Sequence, residues 1–202
     1  MVANNELRSM AREQLKGKWG NPVIVTLIYM VIVILVSAIP RVGGILSFLI
    51  IGPFLLGLTT YFLNFKRGNN PKPENVFSGF NNFGSAFILN IIMGIFIFLW
   101  TLLLVIPGII ACLRYSMSYY ILSDNPDIGA ISALNKSKEL MSKNKKKLLL
   151  LWLSFIGWGI CCIFTLGIGL LWLIPYMSLA TVNFYEDIII ISKDDNQVLE
   201  VL

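Results

Sequence analysis

The chain has 202 residues, 56% of them hydrophobic and 13% charged, with a net charge of +5, no histidine and a mean hydropathy of +0.76. Soluble chains carry about 25% charged residues, and a water-soluble fold of this size has too little interior to hide so much apolar surface. Cys112, Cys161 and Cys162 lie in apolar stretches without C-x-x-C spacing, so a disulfide framework, a metal centre and a histidine-based catalytic centre are poorly supported and no cofactor is expected.

The first 18 residues are polar but patterned. Leu7, Met10, Ala11 and Leu15 fall at helical spacing, with Arg8, Arg12, Glu13 and Lys16 on the other faces. That predicts an amphipathic helix at the membrane surface with its apolar stripe against lipid, followed by Trp19 as an interfacial anchor. Val23 to Pro40 is uncharged and reads as a first span, too long and too far from the start to be a cleaved leader. A second uncharged stretch, Val42 to Phe65, opens with Gly43-Gly44 and ends at Lys66-Arg67. The loop from Gly68 to Glu74 is rich in turn formers. Val76, Phe77, Phe80 and Phe83 then repeat at steps of three and four, predicting a second amphipathic helix.

Ala86 to Val105 reads as a third span. Pro107-Gly108 divides it from a fourth that runs to Leu122. Ser123 to Asp127 is a polar loop with cap residues and a proline, and Ile131, Leu134 and Met141 mark a third, sparser amphipathic helix. Leu148 to Tyr185 holds 38 residues without a charge, bounded by Lys143, Lys145, Lys146 and Lys147 before it and Glu186-Asp187 after it. A span needs roughly 20 apolar residues, so this stretch is the right length for two, with Thr165 to Gly169 as the reversal. The expected fold is therefore all-α: a polytopic membrane protein of six transmembrane helices in three hairpins, each preceded by a cytoplasmic amphipathic helix. It forms one domain over 1–188, with a short cytoplasmic tail over 189–202.

Fourteen of the 16 basic residues fall on one side of this arrangement, leaving Arg41 in an opposite loop and Arg114 inside a span. The positive-inside bias places both termini and all three amphipathic helices in the cytoplasm. The order of elements suggests a hairpin repeat over 1–66, 68–122 and 124–188. Pro53, Pro107 and Pro175 sit in similar surroundings, with Tyr61 and Tyr115 eight residues beyond the first two and Tyr185 ten beyond the third. Six spans with short loops give the same impression without any true repetition.

Several segments resemble a bacterial integral membrane family known as domain of unknown function 975. They are Ile106-Pro107-Gly108-Ile109-Ile110, Arg114 through Pro126, Ser137-Lys138-Glu139-Leu140-Met141, and Leu153 to Trp158 continuing through Thr165–Gly169 to Trp172–Tyr176. Glu6-Leu7-Arg8 with Ala11-Arg12 and Leu15 to Trp19 resembles that family's start. The chain is more distantly similar to the membrane region attached to some glycerophosphodiester phosphodiesterases, whose catalytic metal ligands belong to a separate domain that has no counterpart here. The resemblance implies a six-helix protein of the bacterial cell membrane and brings no activity with it.

The candidate binding residues are cationic and aromatic. Lys143, Lys145, Lys146 and Lys147 can attract anionic lipid heads at roughly 1 kcal/mol each, or simply set topology. Arg114 lies about 10 Å from the proline end of its span and about 15 Å from the cytoplasmic end, counted along a straight helix. Such a charge costs roughly 2.5 to 3.5 kcal/mol. It either snorkels to an interface or faces a cavity among the spans lined by Tyr115, Tyr119 and Tyr120, where it can hold a phosphate or carboxylate. Ser154, Gly157, Gly159 and Cys161 read as small residues for close packing within the monomer. Acylation of Cys161-Cys162 is disfavoured by depth, and Glu186-Asp187 read as a boundary.

Three function classes follow. The preferred one is a non-enzymatic module that binds or shields a lipid, a hydrophobic peptide or a membrane partner at the cytoplasmic leaflet. A small transporter or channel is the alternative, weakened by the presence of a single ionisable residue in the spans. A lipid-modifying enzyme lacks an evident nucleophile or acid–base pair. Membrane lipids are the expected partners, beside a membrane protein or peptide; nucleic acid is not expected.

Overall fold

The computed structural model describes residues 1–41 and 43–200. Val42, where the second span was expected to begin, the side chains of residues 43, 45 and 193–200, Lys193 among them, and the last two residues of the expected tail lie outside the described residues. Among the described residues the chain is all-helical. The α-helices are α1 Asn4–Leu15, α2 Gly20–Ser37, α3 Gly43–Lys66, α4 Phe83–Leu103, α5 Val105–Tyr115, α6 Ser118–Asp124, α7 Ala130–Leu140, α8 Lys145–Leu153, α9 Ile156–Phe164 and α10 Leu170–Glu200. Two 3₁₀ segments, Pro73–Asn82 and Pro126–Ile128, lie between them.

Five segments are long and apolar enough to cross a membrane: Gly20–Ser37, Leu46–Lys66, Pro73–Leu103, Val105–Asp124 and Lys145–Phe164. They place the chain among membrane proteins. The expected sixth, Leu170 to Tyr185, is not one of the five. Only 16 residues separate Leu170 from Glu186, and Ser178, Thr181 and Asn183 interrupt them. Those residues are tolerated because α10 is the helix on which the others pack. It touches α1, α2, α3, α7, α8 and α9, and Leu179 through Tyr185 are all buried. A helix covered on every side need not be apolar throughout, provided its polar groups find partners. Asn183 Nδ2 donates to the Leu7 carbonyl at 3.3 Å, and Asn183 Oδ1 accepts from Gln14 at 3.1 Å. Thr181 Oγ1 donates to the Met177 carbonyl at 2.8 Å.

This packing corrects the expectation for the first amphipathic helix. Leu7, Ala11 and Leu15 are buried, at 1%, 0% and 0% exposure, where α1 lies on α10. The stripe faces protein, not lipid. The second segment is a 3₁₀ helix up to Asn82, and its stripe divides: Val76 is buried while Phe77, Phe80 and Phe83 stay 44%, 36% and 41% exposed. Phe77 and Phe80 meet Phe54 edge-on at ring distances of 5.7 and 5.0 Å. Here α3 and the 3₁₀ segment cross backbone to backbone. A Cβ on Gly57 would overlap the Val76 carbonyl, and one on Gly79 would overlap the Pro53 carbonyl. On the third helix Leu134 and Met141 are buried but Ile131 points outward.

Two expected straight spans are bent. The fourth breaks between α5 and α6 at Ser116-Met117, and the fifth between α8 and α9 at Ser154-Phe155. The reversal at Thr165 to Gly169 is present, with positive φ at Leu166 and Gly167. Gly157 and Gly159, expected to pack within the monomer, have nothing within 4 Å of where a Cβ would stand. Beyond the boundary expected at 188, α10 continues to Glu200.

Candidate functional site

The docking of α1 on α10 leaves a cavity of about 400 Å³ between α1, α9 and the start of α10. Its α1 end carries Arg8 and Arg12, one helical turn apart and so on one face. Its walls are Trp158, Cys161 and Cys162 from α9 and Trp172, Leu173 and Tyr176 from α10, with Trp19 beside the arginines. Phe155 fixes the corner. Its buried side chain sits edge-on to Tyr176 at 5.0 Å, and the Arg8 guanidinium lies over its ring at 5.4 Å. The ring stands at the break between α8 and α9. At the far end Thr165 Oγ1 donates to the Cys162 carbonyl and accepts from the Gly169 amide, both at 3.0 Å.

The electrostatics of the cavity are one-sided. No carboxylate lines it, and among the described residues neither arginine has an acidic side chain within ion-pair distance. Arg8 Nε is buried without an acceptor among the described residues. The arrangement can hold an anion at one end and hydrocarbon along the rest.

The sequence-predicted residues are dispersed. Arg114 is exposed on the outer side of α5, so it does not face a cavity among the spans. Its carbonyl accepts from Ser137 Oγ of α7 at 2.9 Å, which puts Arg114 at the level of that lysine-bearing helix. The span bends two residues later, so the straight-helix distance from Arg114 to the cytoplasmic end does not apply. Tyr115 is buried against Phe96, with Lys138 Nζ 5.9 Å from both rings. Tyr119 is buried and donates to Asn90 Oδ1 at 3.3 Å, and Tyr120 packs on Tyr185. Lys143 lines an open groove with Lys136 and Glu139. Lys145 is half-buried and Lys146 exposed. Lys147 is engaged: its Nζ donates to Asp187 Oδ2 at 2.7 Å and lies 5.7 Å from the Phe184 ring. Arg114 lines neither the groove nor the α1 cavity.

A second polar cluster ties helix ends together. Arg67 at the end of α3 makes a forked pair with Asp124 of α6, at 2.7 and 3.1 Å, and reaches Glu186 of α10 at 3.1 Å. The hydrogen bond to Asp124 comes first among the causes that raise the Arg67 pKa above its ordinary value. Tyr185 donates to the same Asp124 at 2.9 Å. Asp187 also accepts from the Val2 amide at 3.2 Å. Glu186-Asp187, expected as a simple boundary, thus join α10 to the N-terminus, the start of α8 and the end of α3.

Sequence reasoning missed Arg8, Arg12, Trp158 and Trp172 as a group. The available signal was an i, i+4 arginine pair on a helix whose apolar stripe is shared with α10, and a tryptophan on each side of the last reversal.

No curated protein and no solved structure matches the chain. The sequence profile described as "Protein of unknown function (DUF975)" matches residues 1–112 and 101–191. Together these matches cover both walls of the cavity and the helix that closes it, and the chain belongs to that family.

Proposed function

We propose that the protein is a non-enzymatic membrane protein that holds an amphiphile bearing a negative charge at the cytoplasmic leaflet. The observation that carries this reading is the cavity under α1, with arginines at one end and tryptophan, leucine and tyrosine walls. Two cationic side chains at one end and a largely apolar, aromatic wall along the rest suit a charged head with an apolar tail. The exposed Lys146 and the Lys136–Lys143 groove add positive charge that attracts an anionic leaflet.

The same reading takes the chain as six-span, with both termini on the lysine side. Asp187 binds Val2 and Lys147, and Arg67 binds Asp124 and Glu186. These contacts gather the expected start of the first hairpin, the ends of the second and fourth spans, the start of the fifth and the end of the sixth at one level. Such a gathering fits an even number of crossings.

The test is native mass spectrometry of the full chain released from a mild detergent. About one anionic amphiphile per chain is expected to survive, enriched over its share of the membrane. Retention that merely mirrors bulk lipid composition counts against the reading, and solute flux through reconstituted protein would favour a transporter.

A further inference from the structure

Arg8 is the least satisfied cation in the cavity. Its Nε is shut off without an acceptor among the described residues, while the ring of Phe155 covers one guanidinium face. A buried donor left unpaired is destabilising, and more so when it is charged. An anion at the cavity mouth meets the outer guanidinium nitrogens instead, and offsets a charge that no carboxylate among the described residues balances. Arg8 and Arg12, a turn apart on one face, present two forked donors, and a phosphate has enough oxygens to engage both.

The cavity's dimensions describe what is attached to that anion. From Trp158 to Thr165 the wall runs seven residues, about 10 Å of helix rise, which fits within one leaflet of a hydrocarbon core about 30 Å thick. The cavity, about 400 Å³ and open on one side, has a mostly apolar lining with room for an acyl chain. Trp158 and Trp172 remain half exposed along the wall, so a chain can enter sideways from the bilayer.

We infer that the cavity takes one acyl chain of a phospholipid whose anionic phosphate sits on Arg8 and Arg12. The inference rests on the amphiphile-binding reading above and adds the ligand class and the residues that hold it. Any second chain of the lipid stays in the surrounding bilayer.

The experiment is a fluorescence titration of the full chain in detergent with three probes brominated on the acyl chain: lysophosphatidate, a fatty acid and a monoacylglycerol. Bromine quenches tryptophan on contact, and Trp19, Trp158 and Trp172 surround the cavity. Lysophosphatidate is expected to quench saturably at one per chain, and the uncharged monoacylglycerol only in proportion to its concentration. Half-saturation should rise tenfold or more in Arg8→Gln and severalfold in Arg12→Gln, with partial recovery in Arg8→Lys. Arg12 is exposed, so its variant reads the site even where Arg8→Gln folds poorly. Trp158→Phe with Trp172→Phe should remove most of the saturable signal. Fatty acid binding as tight as lysophosphatidate overturns the phosphate assignment. Saturable binding untouched by either arginine variant, in protein that still retains native lipid, overturns the site and leaves the broader reading standing. Absence of both saturable quenching and retained lipid removes both.

Discussion

Arg67 is held by two acids from two other helices, and its value to the protein lies in that convergence. The pair with Asp124 is forked, yet Arg67 is 41% exposed, so solvent screening keeps the contribution to about 1 kcal/mol. Arg67→Gln is expected to lower stability by about that amount. Asp124→Asn should lower it similarly, and the double variant by less than the sum because each removes the same contact. Thermal unfolding in detergent reads all three, and strict additivity would mean that the pair is decorative. Arg114 stands in contrast. Its side chain is exposed and has no acidic partner among the described residues, so Arg114→Leu should be neutral or slightly stabilising in the same measurement. A loss beyond about 1 kcal/mol, the upper end for an exposed charge, would show that Arg114 holds something after all.

At the scale of elements, the backbone crossing of α3 and the 3₁₀ segment is the tightest contact between neighbours. Gly57→Ala places a methyl on the Val76 carbonyl, and overpacking of this kind costs roughly 1–3 kcal/mol or more. Gly157→Ala meets open space and should be neutral, or slightly favourable through helix propensity. Circular dichroism melts of the two variants separate these outcomes, and equal melting temperatures would mean that the crossing relaxes freely. For α1, Leu7→Ala and Leu15→Ala should each cost about 2–5 kcal/mol, as core truncations do, whereas a stripe lying in lipid would lose little. The sequence carried the helical period of this stripe but not its partner. Periodicity reports which face is apolar, and lipid and protein satisfy that face alike. The bends at Ser116 and Ser154 were illegible for a related reason. Neither carries a proline; at each the serine hydroxyl donates to the carbonyl three residues back, at 2.8 Å for Ser116 and 2.6 Å for Ser154, and a serine in an apolar run does not announce that bond. The reversal at Thr165–Gly169 was legible because positive φ at Gly167 is a local requirement. So was the membrane character, which composition alone determines.

For the whole molecule the open quantity is the number of crossings, and it turns on α10. By length and apolarity the segment from Leu170 falls short of the five that qualify, and a five-span chain would place its two termini on opposite sides. The contacts of α10 point the other way. Asp187 shares hydrogen bonds with Val2 and Lys147, so the residue that follows the last apolar stretch lies beside the residue that precedes the first. From Leu170 to Asp187 is about 26 Å of helix rise, close to the thickness of a hydrocarbon core of about 30 Å. Because α10 is sheathed by its neighbours, it can cross with Asn183 inside it. Reporters fused after Leu202, and inserted at Asn70 and Asn144, are therefore expected to read cytoplasmic, with those at Gly44 and Gly167 reading external. The C-terminal fusion decides the count: an external signal there, with the internal sites as expected, means five crossings. That outcome would also separate Asp187 from Val2 and Lys147 by a bilayer, so Asp187→Asn would then leave stability unchanged. In the six-span arrangement Asp187→Asn weakens a half-buried ion pair and lowers the melting temperature.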